Sequence, residues 1–113
     1  MEITKTKKSL RLLLVEDSIT DAALLQEYML SNADWHIDLT VAASINDALE
    51  YIKNNQLDAV LLDLTLPDSE GLETVARIKD AKSEVPIVVL TGIDDENVGI
   101  EALRIGAQDY LVK

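Results

Sequence analysis

Three apolar runs constrain this chain more than any other feature. Leu12–Val15, Ala59–Leu62 and Ile87–Leu90 are short, and none alternates with polar residues. A run of that kind reads as a strand buried on both faces. Strands buried on both faces belong to parallel sheets with helices packed on either side. The segments between the runs have the length and period to supply those helices.

In chain order, the first strand is read over Arg11–Val15, after a polar start. Ser18 is an N-cap candidate, with Asp21 three residues on, for a helix from Ile19 toward Ser31. Ala22, Leu25 and Met29 mark its buried stripe, with Leu24 and Tyr28 flanking. Ile37, Leu39 and Val41 alternate with polar neighbours, which suits a half-buried or edge strand. Ser44 then caps a helix whose apolar face is Ile45, Ala48, Leu49 and Ile52, closed by Asn54-Asn55. After the Ala59–Leu62 strand, Ser69 is read as the cap of a third helix, with Leu72, Val75, Ala76 and Ile78 giving its period. Pro86 opens the fourth strand. Asp94 or Asp95 caps a fourth helix with Val98, Ala102, Leu103 and Ile105 on its apolar face, and Gly106 suits its C′ position. Asp109–Val112 is the fifth strand, followed by Lys113. The pattern is βα four times and then β, an α/β doubly wound five-stranded parallel sheet with right-handed crossovers. Residues 1–9 are expected to be a flexible tail and 10–113 one domain.

Four of the five strands stop where a chemically useful residue begins. The first delivers Glu16 and Asp17, the third Asp63, the fourth Thr91 and the fifth Lys113. In a parallel sheet these carboxyl ends share one edge, where such sheets place their ligands. Asp63 by itself reads equally well as a strand-end residue that starts a turn; the coincidence across strands points to a site. Two carboxylates about 4 Å apart repel by roughly 4 kcal/mol at an effective dielectric near 20, so three on one edge must protonate or share a cation. Hard oxygen donors suit Mg²⁺ or Mn²⁺. Together with a lysine and a hydroxyl, they make a pocket for a phosphoryl group, with a carboxylate as nucleophile.

Composition excludes several rivals. With 21 acidic and ten basic residues the formal charge is −11, so the bulk field repels nucleic acid. Lys5, Lys7, Lys8 and Arg11 make only a weak basic patch, read as a solvated tail. There is no cysteine, which removes disulfides and thiolate metal sites. No apolar run is long enough to cross a membrane, and the expected location is the cytoplasm.

The chain resembles the receiver domains of bacterial response regulators. The likeness runs from Leu10 to Lys113. It rests on Val15-Glu16-Asp17-Ser18, on Leu62-Asp63-Leu64-Thr65-Leu66-Pro67 with Gly71 after it, on Leu90-Thr91-Gly92, and on Gly106-Ala107-Gln108-Asp109-Tyr110-Leu111-Val112-Lys113. It implies the flavodoxin-like strand order 2-1-3-4-5. It implies Asp63 as phosphoacceptor, fed by a histidine kinase or histidine phosphotransfer protein. Glu16, Asp17, Asp63 and the backbone carbonyl of Thr65 would hold Mg²⁺, with Asp17 the direct ligand and Glu16 acting through water. Lys113 would pair with the acyl phosphate. Thr91 would swing toward the phosphoryl oxygens with Tyr110 turning inward, and the surface of the fourth helix and fifth strand would carry the readout. Such a domain is at most an enzyme toward itself, in gaining and losing its own phosphoryl group.

Departures from the family pattern add expectations. The apolar Ile93, with Thr65, predicts slow self-dephosphorylation. Trp35 is expected to lie far from the site. The family carries a fifth helix, whereas this sequence stops at Lys113. Apolar surface on one face would then lie open, predicting a homodimer or a destabilised monomer. His36 reads as a surface residue. Three alternatives stay open: a pseudo-receiver that is never phosphorylated and serves as an interaction or dimerisation module, a flavin binder sharing the sheet order, and a phosphatase with an aspartyl nucleophile. Glu16-Asp17 disfavours the flavin reading, because a metal-free phosphate would be repelled there. Thr65 stands where the phosphatase needs a second acid.

Overall fold

The computed structural model describes residues 8–31, 35–66, 69–82, 84–92 and 96–112. The elements are β1 (Lys8–Val15), α1 (Ile19–Leu30), β2 (Trp35–Ala42), α2 (Ile45–Asn54), β3 (Ala59–Asp63), β4 (Thr65–Leu66), β5 (Ser69–Glu70), α3 (Leu72–Ala81), β6 (Ile87–Thr91), α4 (Glu96–Arg104) and β7 (Asp109–Val112). Five of the strands form one sheet in the order β2-β1-β3-β6-β7, with every neighbouring pair parallel. Counting only these strands, the order is 2-1-3-4-5, as the resemblance implied. β4 and β5 make a separate antiparallel pair.

The apolar runs are where the sheet is most deeply covered. Leu13, Leu14 and Val15 of β1, Val60 and Leu62 of β3, and Ile87 and Val89 of β6 are fully buried. β1 begins at Lys8, three residues before the expected start, because Lys8 and Ser9 pair with Trp35 and His36 of β2. An edge partner can extend a strand into polar sequence that carries no apolar signal.

The sheet separates two cores. One joins Leu13, Val15, Val60, Leu62, Ile87 and Val89 to α2, α3 and α4 through Ile45, Ile52, Val75, Ile78 and Ala102. The other packs Leu14, Leu61 and Leu90 against Ala22, Leu25 and Met29 of α1. The division follows from handedness. The step from β1 to β2 runs opposite to the steps β2→β3, β3→β6 and β6→β7, so right-handed crossovers put α1 alone on its face. Leu24 and Tyr28 do not flank a buried stripe: they are 61% and 78% exposed. One helix meeting one sheet face buries a narrow stripe, and these two side chains lie outside it.

The caps repeat the local logic. The Ser18 hydroxyl accepts from the N–H of Asp21 at 3.2 Å, and the Ser44 hydroxyl accepts from the N–H of Asp47 at 3.1 Å. The cap expected at Ser69 is a correction. Ser69 and Glu70 instead pair with Leu66 and Thr65, and the N-cap of α3 is Gly71. Its φ of 57° turns the chain out of the hairpin, and its N–H donates to the carbonyl of Leu64 at 3.0 Å. Within α3 the buried residue beside Val75 and Ile78 is Thr74, while Ala76 is exposed. At the end of α4, Gly106 has a φ of 118° and donates to the Leu103 carbonyl, and Ala107 donates to that of Ala102. This is a Schellman closure. Leu103 and Ile105 are partly exposed, so the buried line of α4 is Val98 and Ala102 with Gly99. The caps expected at Asp94 or Asp95 lie outside the described residues.

Candidate functional site

Parallel pairing decides which strand ends meet. Val15 is level with Leu62, so the next residues, Glu16 and Asp63, emerge side by side at the carboxyl edge. The Glu16 N–H still donates to Ala42 of β2 at 2.9 Å, which holds the residue in line with its strand. Carboxylate oxygens of Glu16, Asp17 and Asp63 all lie within 4.8 Å of one another. Glu16 and Asp63 are 2% and 3% exposed, whereas Asp17 is open to solvent. One Glu16 oxygen accepts from the N–H of Ser18 at 3.3 Å, which ties the acid to the start of α1. Burial disfavours the charged forms of Glu16 and Asp63, and their neighbouring carboxylates repel each other. An arrangement of hard oxygen donors that is unfavourable by itself becomes favourable around a small divalent cation, so the residues present fit Mg²⁺ or Mn²⁺.

Thr91 ends the adjacent strand β6 and is 3% exposed. Its hydroxyl donates to the backbone carbonyl of Leu111 on β7 at 3.4 Å. Tyr110 precedes that carbonyl and is half-buried, packed against the core on the α4 side. Thr65 follows Asp63 by two residues, and its backbone pairs with Glu70. Lys113 and Ile93 lie outside the described residues. Trp35 lies at the amino end of β2, the opposite edge from the acids, and His36 is exposed.

Residues 12–113 match the response regulator receiver domain family. The chain belongs to that family. This receiver domain is 37% identical over 100 residues to the regulatory protein LuxO of Vibrio cholerae, covering 88% of this chain and 21% of LuxO. It is 30% identical over 108 residues to the transcriptional regulatory protein ZraR of Escherichia coli, covering 96% of this chain and 24% of ZraR. It therefore spans between a fifth and a quarter of those curated relatives. Among solved structures, the receiver domain of a Francisella response regulator superposes with a TM-score of 0.80 at 27% identity, covering 92% of this chain and 84% of that one. Among the receiver's described residues, no helix is long and apolar enough to cross a membrane.

Two residues that shape this receiver escaped the sequence reading. Gly71 belongs to the motif after Asp63, and a glycine four residues beyond Pro67 is also a turn signal. Gly99 was missed, and its signal was a glycine inside an otherwise good helical pattern.

Proposed function

We propose that this receiver takes a phosphoryl group on Asp63 from a histidine kinase or a histidine phosphotransfer protein. The observation that carries the reading is the acidic triad. Three carboxylates gather within 4.8 Å at the carboxyl edge, two of them buried, beside a buried threonine hydroxyl on the next strand. Clustered carboxylates of this kind are the hard oxygen donors that a small divalent cation takes.

An Asp63 oxygen attacks the phosphorus, and the bond from phosphorus to the donor breaks. That is a P–N bond to imidazole in a phosphohistidine, or a P–O bond in acetyl phosphate, with acetate leaving. The product is an acyl phosphate on Asp63. Glu16, Asp17, Asp63 and the Thr65 carbonyl would hold Mg²⁺, which supplies neutralisation of phosphoryl charge. Glu16 is held by Ser18 and by β2, so it acts as a fixed acid in the pocket wall. Exposed Asp17 is the acid reached first from solvent. Lys113 would pair with phosphoryl oxygens.

Thr91 carries the response. Its hydroxyl has one proton to donate, now directed at Leu111. A phosphoryl oxygen on Asp63 competes for that proton as a charged acceptor, which makes the stronger hydrogen bond. Transfer of the bond releases the Leu111 carbonyl beside Tyr110, while β7 stays paired with β6, and alters the surface of α4 and β7, the readout. The test is intact mass after incubation with Mg²⁺ and acetyl phosphate. One phosphoryl adduct is expected on the parent and none on Asp63→Asn or without Mg²⁺. No adduct on the parent, with Mg²⁺ binding intact, would favour the interaction-module reading.

A further inference from the structure

Gly99 occupies the middle of α4 and is buried. Glycine is the poorest helix former after proline, so this position needs another explanation. The explanation is Tyr110. A Cβ built on Gly99 would lie 2.6 Å from Cδ2, 2.7 Å from Cγ and 3.2 Å from Cβ of Tyr110. The tyrosine therefore rests directly on the backbone of α4, at a spot where any side chain would overlap it. The contact involves the root of the ring rather than its tip. Swinging the hydroxyl end aside cannot relieve it. Either χ1 of Tyr110 must change or β7 must move from α4.

β7 is held on both sides of this contact. Tyr110 is seated on Gly99, and the next residue, Leu111, accepts from the Thr91 hydroxyl. Two consecutive residues of one strand thus connect the end of β6 to the centre of α4. We propose that Gly99 is the positioning residue of the switch: its bare backbone seats Tyr110 in the resting state, and the bulk of residue 99 sets how readily that state is left. The proposal rests on the phosphoacceptor reading above for its regulatory meaning. The seat itself does not depend on it. A side chain at 99 would disfavour the seated state without touching Asp63, Thr91 or the acids.

The test compares the parent, Gly99→Ala, Tyr110→Ala and the double variant. In urea unfolding without Mg²⁺, Gly99→Ala is expected to lower the midpoint when Tyr110 is present. In the Tyr110→Ala background it should raise the midpoint, since alanine is the better helix former and the two ring contacts below 3.0 Å have gone, leaving only the 3.2 Å contact to Cβ. If Gly99→Ala alone does not fold while the double variant does, the same sign is seen in its extreme form. Equal losses in both backgrounds would overturn the seat. A second readout follows the ring resonances of Tyr110 by NMR, with and without Mg²⁺ and acetyl phosphate. In Gly99→Ala they should be displaced before phosphorylation, and the phosphorylation-induced change should fall at least twofold, while the Asp63 adduct still forms. Unaltered resonances and an unaltered response would overturn the switch role. Failure of the parent to take a phosphoryl group would overturn the phosphoacceptor reading and the regulatory meaning together, while the unfolding cycle separately decides the seat.

Discussion

Removing the Asp63 charge should stabilise this receiver when no divalent cation is present. With carboxylate oxygens of Glu16, Asp17 and Asp63 within 4.8 Å of each other, Coulomb repulsion is at least about 3.5 kcal/mol per pair at an effective dielectric near 20. The pairs that include Asp17 are screened by water, because that side chain is exposed, and they count for well under about 1 kcal/mol. The Glu16–Asp63 pair keeps most of its repulsion, since both groups are buried. Asparagine has almost the same shape, so Asp63→Asn removes the charge without opening a cavity. Some hydrogen bonding to the carboxylate is lost in exchange, at about 1 kcal/mol. A net gain of about 1–3 kcal/mol is expected. For a chain of this size that raises Tm by roughly 4–12 °C.

The assay is thermal unfolding followed by circular dichroism, in EDTA and then in Mg²⁺. Mg²⁺ at ten times its Kd should stabilise the parent by about 1.4 kcal/mol. It should stabilise Asp63→Asn less, so the gap between the two narrows. If Asp63→Asn melts at or below the parent in EDTA, repulsion on the Asp63 charge does not exceed what its other partners contribute. The electrostatic case for a cation site would then fail.

Other consequences can be checked alongside. Ser44→Ala should cost about 1 kcal/mol in urea unfolding, through loss of the cap on the Asp47 N–H. Gly106→Ala should cost at least about 1 kcal/mol, because its φ of 118° disfavours a side chain and the new Cβ would press on Lys79 at 3.3 Å. Thr91→Ala should still take the phosphoryl group on Asp63 by intact mass, yet show a reduced response of Tyr110 resonances to it. Leu111 faces the α1 side, level with Leu90, and is 53% exposed; Leu24 and Leu30 of α1 are also exposed. Sedimentation velocity should therefore show association that grows with concentration, and a monomer at all concentrations would refute it.

The sequence alone determined the strands, the edge and the chemical types gathered there. Leu12–Val15, Ala59–Leu62 and Ile87–Leu90 carry enough unbroken apolar character to demand burial on both faces, and period and caps define the helices between them. Glu16, Asp17, Asp63 and Thr91 were legible because a polar residue directly after a buried strand has only the sheet edge to occupy. Tertiary structure decided what depends on partners distant in sequence. Pairing with β2 carried β1 back to Lys8, through Ser9 and Lys8, which carry no apolar signal. Pairing of Ser69 and Glu70 with Leu66 and Thr65 overrode the capping preference of Ser69 and passed the cap to Gly71, because two strand pairings and a turn outweigh one side-chain hydrogen bond. Packing made Glu16 a buried acid, held through its N–H to Ala42 and its carboxylate to Ser18, and left adjacent Asp17 in solvent. The role of Gly99 needed β7 to be laid against α4: a missing side chain acquires meaning only from what rests in the space it leaves.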